Sequence, residues 1–335
     1  MKKTVQFSSL VTFYFDESFE KLTAKPEGKK IIYLVDENVI QKHKKKFKGL
    51  NVIVIPPGEE NKIKSSVDRI ILQLLDFGAD RNTMIIGVGG GVVTDITGYV
   101  AGIFMRGISF GFVPTTILAM VDAAIGGKNG IDVGVFKNIV GLVRQPSFIW
   151  FDYGFLSTLP NEEWVNGFAE IIKHACIKDK QMFTALQNQK LADFKKDEAA
   201  LSKLIRKNVD IKVKVVQQDE FEKGDRKLLN FGHTFGHAIE NLYNIPHGHA
   251  VSIGIGMACR ISQNLIGFKN NDEVLALLKQ YGLPPQFDFD LQATMKVMQN
   301  DKKKAGDSVN FILLETIGKA VIRPISFNAL SEYLD

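Results

Sequence analysis

Residues 84–95 read Met84-Ile85-Ile86-Gly87-Val88-Gly89-Gly90-Gly91-Val92-Val93-Thr94-Asp95. An apolar run rich in β-branched residues enters three consecutive glycines, and a helical pattern through Gly98, Tyr99 and Ala101 leaves them. Strand, glycine turn and helix in that order make half of a parallel βαβ unit. Glycines at such a turn let main chain approach a diphosphate closely, and the helix start offers free N–H groups and the positive end of its dipole. The spacing is not GxGxxG, and a tight turn without a ligand has the same composition. Working outward, Ile31 to Val35, Val52 to Ile55 and Ile108 to Val113 read as further buried parallel strands, with Ile63 to Phe77 an amphipathic helix between them. Phe148 to Phe151, after Pro146, reads as the last strand of this domain. The fold class is therefore α/β, beginning with a Rossmann-like doubly wound domain. Asp36-Glu37-Asn38 ends the Ile31 strand, where an acid can bind an adenosine ribose hydroxyl.

From Pro160 onward the pattern becomes helical, over Trp164 to Ile177, Leu201 to Val216 and Val251 to Leu265. Val309 to Leu314 and Ala320 to Arg323 flank Gly318 as a hairpin. Two domains are expected, residues 1–155 and a mainly α-helical 156–335.

The 335 residues are 45% hydrophobic and 24% charged, with a net charge of +5. That balance suits a nucleic-acid binder or an enzyme for phosphorylated, carboxylated metabolites. The lysine clusters, KHKKKFK over 42–48 and Lys302-Lys303-Lys304, carry no nucleic-acid motif, so no nucleic-acid partner is expected. Cys176 and Cys259 lie in apolar helical contexts without CxxC spacing, so neither a disulfide framework nor a thiolate metal site is indicated, which fits a reducing compartment. Polar residues interrupt the N-terminal segment after Lys2 and Lys3, and no run reaches the length of a membrane span. A cytoplasmic protein without membrane attachment is expected.

Four of the six histidines fall within residues 233–249, as Gly232-His233-Thr234-Phe235-Gly236-His237 and His247-Gly248-His249. His233 and His237 are four apart, so on a helix they share one face, a spacing for joint metal binding or for metal binding beside proton transfer. Between Pro114 and Asn138 lie Thr115-Thr116, Asp122, Gly126-Gly127-Lys128 and Lys137-Asn138, a set suited to anionic substrate groups. Lys212, Arg226 and Asn230 precede the histidines, and Glu170 and Lys173 share another helical stretch.

These segments in this order resemble the 3-dehydroquinate synthases of the sugar phosphate cyclase superfamily. The resemblance covers almost the whole chain and is strongest at Pro57-Gly58-Glu59-Glu60-Asn61-Lys62, residues 89–95, Met105-Arg106-Gly107, Val113-Pro114-Thr115-Thr116, Gly126-Gly127-Lys128, Lys137-Asn138, Ala169-Glu170-Ile171-Ile172-Lys173 and 226–237. It implies an NAD-binding first domain and a metal- and substrate-binding second one, with NAD and a divalent metal, usually zinc with cobalt as the alternative. Asp36, Asn38, Glu59, Lys62, Gly90, Gly91, Val92, Asp95, Thr115, Thr116, Lys137, Phe155 and Thr158 match NAD-contacting positions. Glu170, His233 and His247 match the metal ligands. Asp122, Lys128, Asn138, Lys173, Lys212, Arg226, Asn230 and a lysine among Lys302, Lys303 and Lys304 match substrate contacts. Arg106 matches a residue reaching in from the partner of a homodimer. Glu222 and His237 match acid–base positions, with Lys128, Asn138 and Arg226 grouped beside them as catalytic. Spacing alone would make His237 a ligand beside His233, so the resemblance overrules it.

The implied substrate is 3-deoxy-D-arabino-heptulosonate 7-phosphate, converted to 3-dehydroquinate and phosphate through transient oxidation, elimination, reduction, ring opening and aldol closure. Arg226, Asn230 and Lys212 favour this carboxylate-bearing substrate over those of inosose or valiolone synthases. An NAD- and metal-dependent polyol dehydrogenase and a non-catalytic binding scaffold are more distant alternatives. The chain departs from the family at Ala123-Ala124 for two serines, Thr94 for glycine, Asn129 for threonine, Asp132 for a frequent asparagine, and His249 for the glutamate of His-Gly-Glu. The last removes a carboxylate from beside a metal ligand, which puts metal affinity in question.

Overall fold

The computed structural model describes residues 1–24, 28–134, 136–302 and 308–333. Two compact units result, Met1–Glu163 with Leu201–Glu220, and Trp164–Ala200 with Phe221 onward. The helix Glu198–Gln218 thus packs mainly with the first unit, although it follows the helix Asn161–Lys178 in sequence.

Among the described residues the first unit holds nine strands: β1 Lys2–Gln6, β2 Leu10–Phe15, β3 Ile31–Asp36, β4 Val52–Ile55, β5 Met84–Gly89, β6 Ser109–Pro114, β7 Lys128–Val133, β8 Phe136–Val143 and β9 Phe148–Phe151. Seven form one sheet in the order β1-β2-β9-β6-β5-β3-β4, parallel except for the β1–β2 pair. The near-continuous apolar runs of β3 and β5 are what a parallel sheet covered on both faces requires. The helices Lys64–Asp76 and Gly91–Ile103 alternate with these strands, giving the expected doubly wound α/β domain. Pairing of Val35 with Val88, Val88 with Val113 and Gly89 with Pro114 aligns the carboxyl ends of β3, β5 and β6. Asp36, the three glycines and Thr115-Thr116 therefore emerge along one edge of the sheet, where ligands bind in open α/β folds.

The hairpins β1–β2 and β7–β8 were not among the expected strands. β2 does alternate, burying Val11, Phe13 and Phe15 while its other residues are more exposed. β8 gives no such signal, because apolar and polar residues alike face outward along it.

The second unit is mainly helical, with one antiparallel hairpin of β10 Ser308–Thr316 and β11 Lys319–Ser326 that turns at Gly318. Phe235, Ile239, Ile253 and Ile261 of the helices His233–Tyr243 and His247–Ile266 pack with Phe311 and Leu313 of β10 in its core. Among the described residues no helix is long and apolar enough to cross a membrane.

Candidate functional site

In the second unit, residues 164–177 of the helix Asn161–Lys178 are buried without exception, and Glu170 is 0% exposed. A carboxylate there must be compensated. Lys173, one turn on and 1% exposed, forms an ion pair with its Oε2. His233 and His247 each begin a helix, and the Nε2 of each stands 3.4 Å from Glu170 Oε1. Each Nδ1 faces an oxygen: Phe231 O at 3.1 Å for His233, and Glu240 Oε2 at 3.2 Å for His247. Donation from Nδ1 to those oxygens leaves both Nε2 lone pairs aimed at a carboxylate, which calls for a cation among the three.

The spacing fits a metal. Two donors on one tetrahedral zinc at ~2.0–2.1 Å stand about 3.3–3.4 Å apart. The three donor atoms here lie within 4.8 Å of one another. Neither buried oxygen of Glu170 accepts a well-directed hydrogen bond, despite its ion-pair neighbours. Burial opposes ionisation of Glu170, yet the Lys173 ammonium and the two imidazoles hold its carboxyl well below the usual range. His247 shows the converse: burial disfavours its protonation, but Glu170 and Glu240 carry its pKa up to about 10. The same field that retains a proton there attracts a divalent ion in its place.

Backbone approach fixes the histidines. Gly232 precedes His233 at φ 81, a left-handed conformation that favours glycine. A Cβ on Gly248 would fall 2.3 Å from Asn166 O, and the Gly248 N–H donates to Asn166 Oδ1, pinning the start of the His247 helix. The His237 ring centroid lies 5.1 Å from that of His233 and 6.2 Å from that of His247. His237 thus neighbours the cluster without belonging to the Glu170–His233–His247 donor set. His249 is half-buried on the first turn of the His247 helix. Arg226 is 3% exposed in the turn Asp225–Asn230, and Asn230 donates to Glu222 Oε1 at 2.7 Å. Lys302 ends the helix Leu291–Lys302, while Lys303 and Lys304 lie outside the described residues.

In the first unit the glycine turn is built by contact. A Cβ on Gly89 would fall 2.5 Å from Val93, one on Gly90 3.2 Å from Thr116, and one on Gly91 3.4 Å from Ala123. Gly90 caps the helix Gly91–Ile103 without a side-chain hydrogen bond, so the first N–H groups, Val92 included, are available to an anion. Thr115 N–H donates to Gly89 O at 2.9 Å, and Thr116 Oγ1 accepts from Ala119 N–H at 3.1 Å. Asp36 Oδ1 caps the helix Glu37–Lys42, accepting from the N–H groups of Asn38 at 2.9 Å and Val39 at 3.3 Å. Its expected ribose contact would share that carboxylate with a structural bond.

Lys62, 4% exposed, lies 2.6 Å from Asp95, 3.5 Å from Glu59 and 2.5 Å from Asn138 Oδ1. Burial disfavours its ammonium, but Asp95 and Glu59 push its pKa above the ordinary lysine value. Lys212 reaches the carboxylate and the carbonyl of Asp122 at 2.7 and 2.5 Å. The Phe155 ring is buried in the core with Phe19 and Phe47, leaving its main chain for any ligand contact, and Thr158 Oγ1 pairs with His43 Nε2 at 2.8 Å. Lys128, Arg106 and Asn138 are exposed and Lys137 is half-buried.

The description "3-dehydroquinate synthase N-terminal" matches residues 52–166, and "3-dehydroquinate synthase C-terminal" matches 167–304. The chain belongs to the 3-dehydroquinate synthase family. It is 41% identical to 3-dehydroquinate synthase of Campylobacter concisus (strain 13826), over 81% of this chain and 79% of that one. Identity to the Pyrococcus furiosus 3-dehydroquinate synthase is 40%, over 87% of this chain and 85% of that one. Among solved structures, 2-deoxy-scyllo-inosose synthase complexed with carbaglucose-6-phosphate, NAD+ and Co2+ is similar with a TM-score of 0.87 at 26% identity, covering 100% and 99% of the two chains. The fold is also that of 2-epi-5-epi-valiolone synthase from Streptomyces hygroscopicus subsp. jinggangensis 5008, with a TM-score of 0.86 at 24% identity, covering 99% and 96%.

Several departures from the 3-dehydroquinate synthase family have local explanations. Asn129, 5% exposed, donates to Gly127 O and Arg144 O at 2.6 and 3.0 Å and packs against Gly98, so it is a scaffold residue. Ala123 lies against Gly91, where a small side chain suits the glycine turn. Beside His247, which precedes His249 by two residues, Glu240 supplies a carboxylate at 3.2 Å from Nδ1. Sequence reading missed Glu240 and Asn166; Glu240 stands seven residues after His233 on the same helical face, which is the one signal that could have found it.

Proposed function

We propose that this chain is a 3-dehydroquinate synthase, converting 3-deoxy-D-arabino-heptulosonate 7-phosphate to 3-dehydroquinate and phosphate. The observation that carries this reading is the cluster of buried Glu170 and His233 with half-buried His247, with metal-like spacing, in a chain of this family. Bound NAD supplies reversible hydride acceptance, and a divalent ion, zinc or cobalt, polarises a substrate hydroxyl. Glu170, His233 and His247 would hold that ion, with Glu240 orienting His247 and Lys173 balancing Glu170. His237, beside the ligands, and Glu222, hydrogen-bonded to Asn230, would move protons. Lys128, Lys173, Lys212, Arg226, Asn138 and Asn230, with Asp122 and a lysine of 302–304, would bind the phosphate, hydroxyls and carboxylate. Residues 1–155 would bind NAD through Gly90, Gly91, Val92, Asp95, Asp36, Asn38, Glu59, Lys62, Thr115, Thr116, Lys137 and Phe155, with Thr158 just beyond, and 156–335 would bind metal and make most of the substrate contacts.

The partner of this chain would be a second copy. Val133, Phe136, Ile139, Val140 and Val143 of β7 and β8 are exposed together with Ile103 and Met105, and Ile139 is 61% exposed. Apolar side chains exposed in such number favour cover by a second copy, and exposed Arg106, at φ 68, lies next to Met105 in the turn Phe104–Arg106. Buried free Cys176 and Cys259 suit the reducing cytoplasm.

Incubation with the heptulosonate phosphate, NAD and zinc tests the reading. Phosphate and 3-dehydroquinate should form together without net NADH. NADH accumulation would indicate a polyol dehydrogenase, another carbocycle a different cyclase, and absence of phosphate release would overturn the proposal.

A further inference from the structure

Asn138 is a strand residue in a left-handed conformation, at φ 54. Asparagine tolerates that region better than most residues, but inside a strand it persists only where neighbours hold it. The holder is Asp132. Its Oδ1 accepts the Asn138 main-chain N–H at 2.6 Å, and its own N–H donates to Lys62 O at 2.8 Å. Lys62 Nζ in turn donates to Asn138 Oδ1 at 2.5 Å, closing a ring of three residues. Asp132 pairs with Ile63 in an isolated parallel bridge, and the β7–β8 register shifts between Ile131 and Val133. Asp132 is 9% exposed, whereas Asn138 is exposed and accessible to a ligand.

We propose that Asp132 is a positioning residue that clamps the Asn138 backbone and, through Lys62, fixes the direction in which the Asn138 carboxamide meets the substrate. This rests on the reading of Asn138 as a substrate contact. The clamp needs an acceptor oxygen at residue 132, and an asparagine carbonyl can provide one. Alanine cannot, and Asn138 is then free to leave its left-handed conformation and turn its carboxamide away.

The test is kcat/KM for the heptulosonate phosphate in D132N, D132A, N138G and D132A/N138G, all with NAD and zinc. Glycine at 138 accepts the same φ but lacks the carboxamide. D132A should lose roughly tenfold, the scale of one hydrogen bond to a charged acceptor. D132N should restore activity to within about threefold of wild type, since it keeps the acceptor. The double variant should match N138G, because Asp132 acts through Asn138. Independent, multiplicative losses from D132A and N138G would overturn the inference, as would D132N falling as far as D132A. If D132A does not fold, D132S, whose hydroxyl is too short to reach that N–H, replaces it with the same expectations. Wild-type activity in N138G would instead refute the assignment of Asn138 itself.

Discussion

The two units prepare their sites from different materials. The first presents main chain at Gly89-Gly90-Gly91, with charged residues that are themselves hydrogen-bonded, such as Asp36 and Lys62. The second gathers side chains from three helices around a carboxylate that is 0% exposed. A glycine turn needs room rather than charge, so only the side chains packed on it, Val93, Thr116 and Ala123, constrain it. A buried ionic cluster depends on each member, because removing one leaves another charge uncompensated.

The largest break should follow from that dependence. Glu170→Gln keeps the shape but removes the charge that pairs with Lys173, itself buried at 1% exposure, at a cost of about 3–5 kcal/mol. Denaturant unfolding should show that loss in the metal-free protein, and elemental analysis after dialysis should find no retained zinc. Wild-type zinc content in this variant would dissolve the contrast between the units.

Titration sharpens the comparison. The folded-state pKa of His247 is raised to about 10, so protonated His247 contributes stability that is fully present below its unfolded value near 6.5 and lost as pH rises toward 10. Glu170 runs the other way: its depressed pKa gives stability present above about 4.3 and lost as pH falls further. With chelator present, Tm should therefore decline from pH 6.5 to 10, and H247Q should flatten that decline. Zinc should remove it as well, since the ion takes the place of the proton and its binding releases one. A metal-free Tm that rises over this range would contradict the assigned cluster.

Glu240 tests whether orientation matters beyond ligand identity. E240Q should lower zinc affinity about 10–100-fold, the usual consequence of losing a carboxylate behind a histidine ligand. Competition with a chelator measures this directly, and the visible spectrum of the cobalt form should change with it. Unchanged affinity would mean that the Phe231 carbonyl and Asn166 suffice to hold the two histidines.

The same contrast explains what the sequence made legible. The strand Met84–Gly89, its glycines and the following helix are contiguous, so periodicity and composition reveal them together. The candidate donor set joins residues 170, 233 and 247, with Glu240 beside His247, and the i, i+4 spacing of His233 and His237 points to a residue outside that set. The family resemblance, not the spacing, singles out Glu170, His233 and His247 as the expected ligands. The i, i+7 spacing puts Glu240 on the His233 face, but its turn toward His247 depends on how two helices meet through Gly232, Gly236 and Gly254. The β8 strand was hidden for the opposite reason: its apolar side chains face outward and leave no alternation to read.

The smallest effects separate packing from binding within the glycine turn. A Cβ on Gly89 meets buried Val93 at 2.5 Å, so G89A should destabilise by about 1–3 kcal/mol through overpacking. A Cβ on Gly90 meets only the Thr116 side chain, its methyl at 3.2 Å and its hydroxyl at 3.6 Å, which a shift of a few tenths of an ångström relieves. G90A should keep nearly the wild-type Tm while weakening NAD binding up to about tenfold in calorimetry, because the added carbon stands where a diphosphate would approach the helix start. Equal NAD affinity in G90A and wild type would place the diphosphate elsewhere. The first unit's site would then rest, like the second's, on side chains, with the Lys62–Asp95 pair its leading candidate.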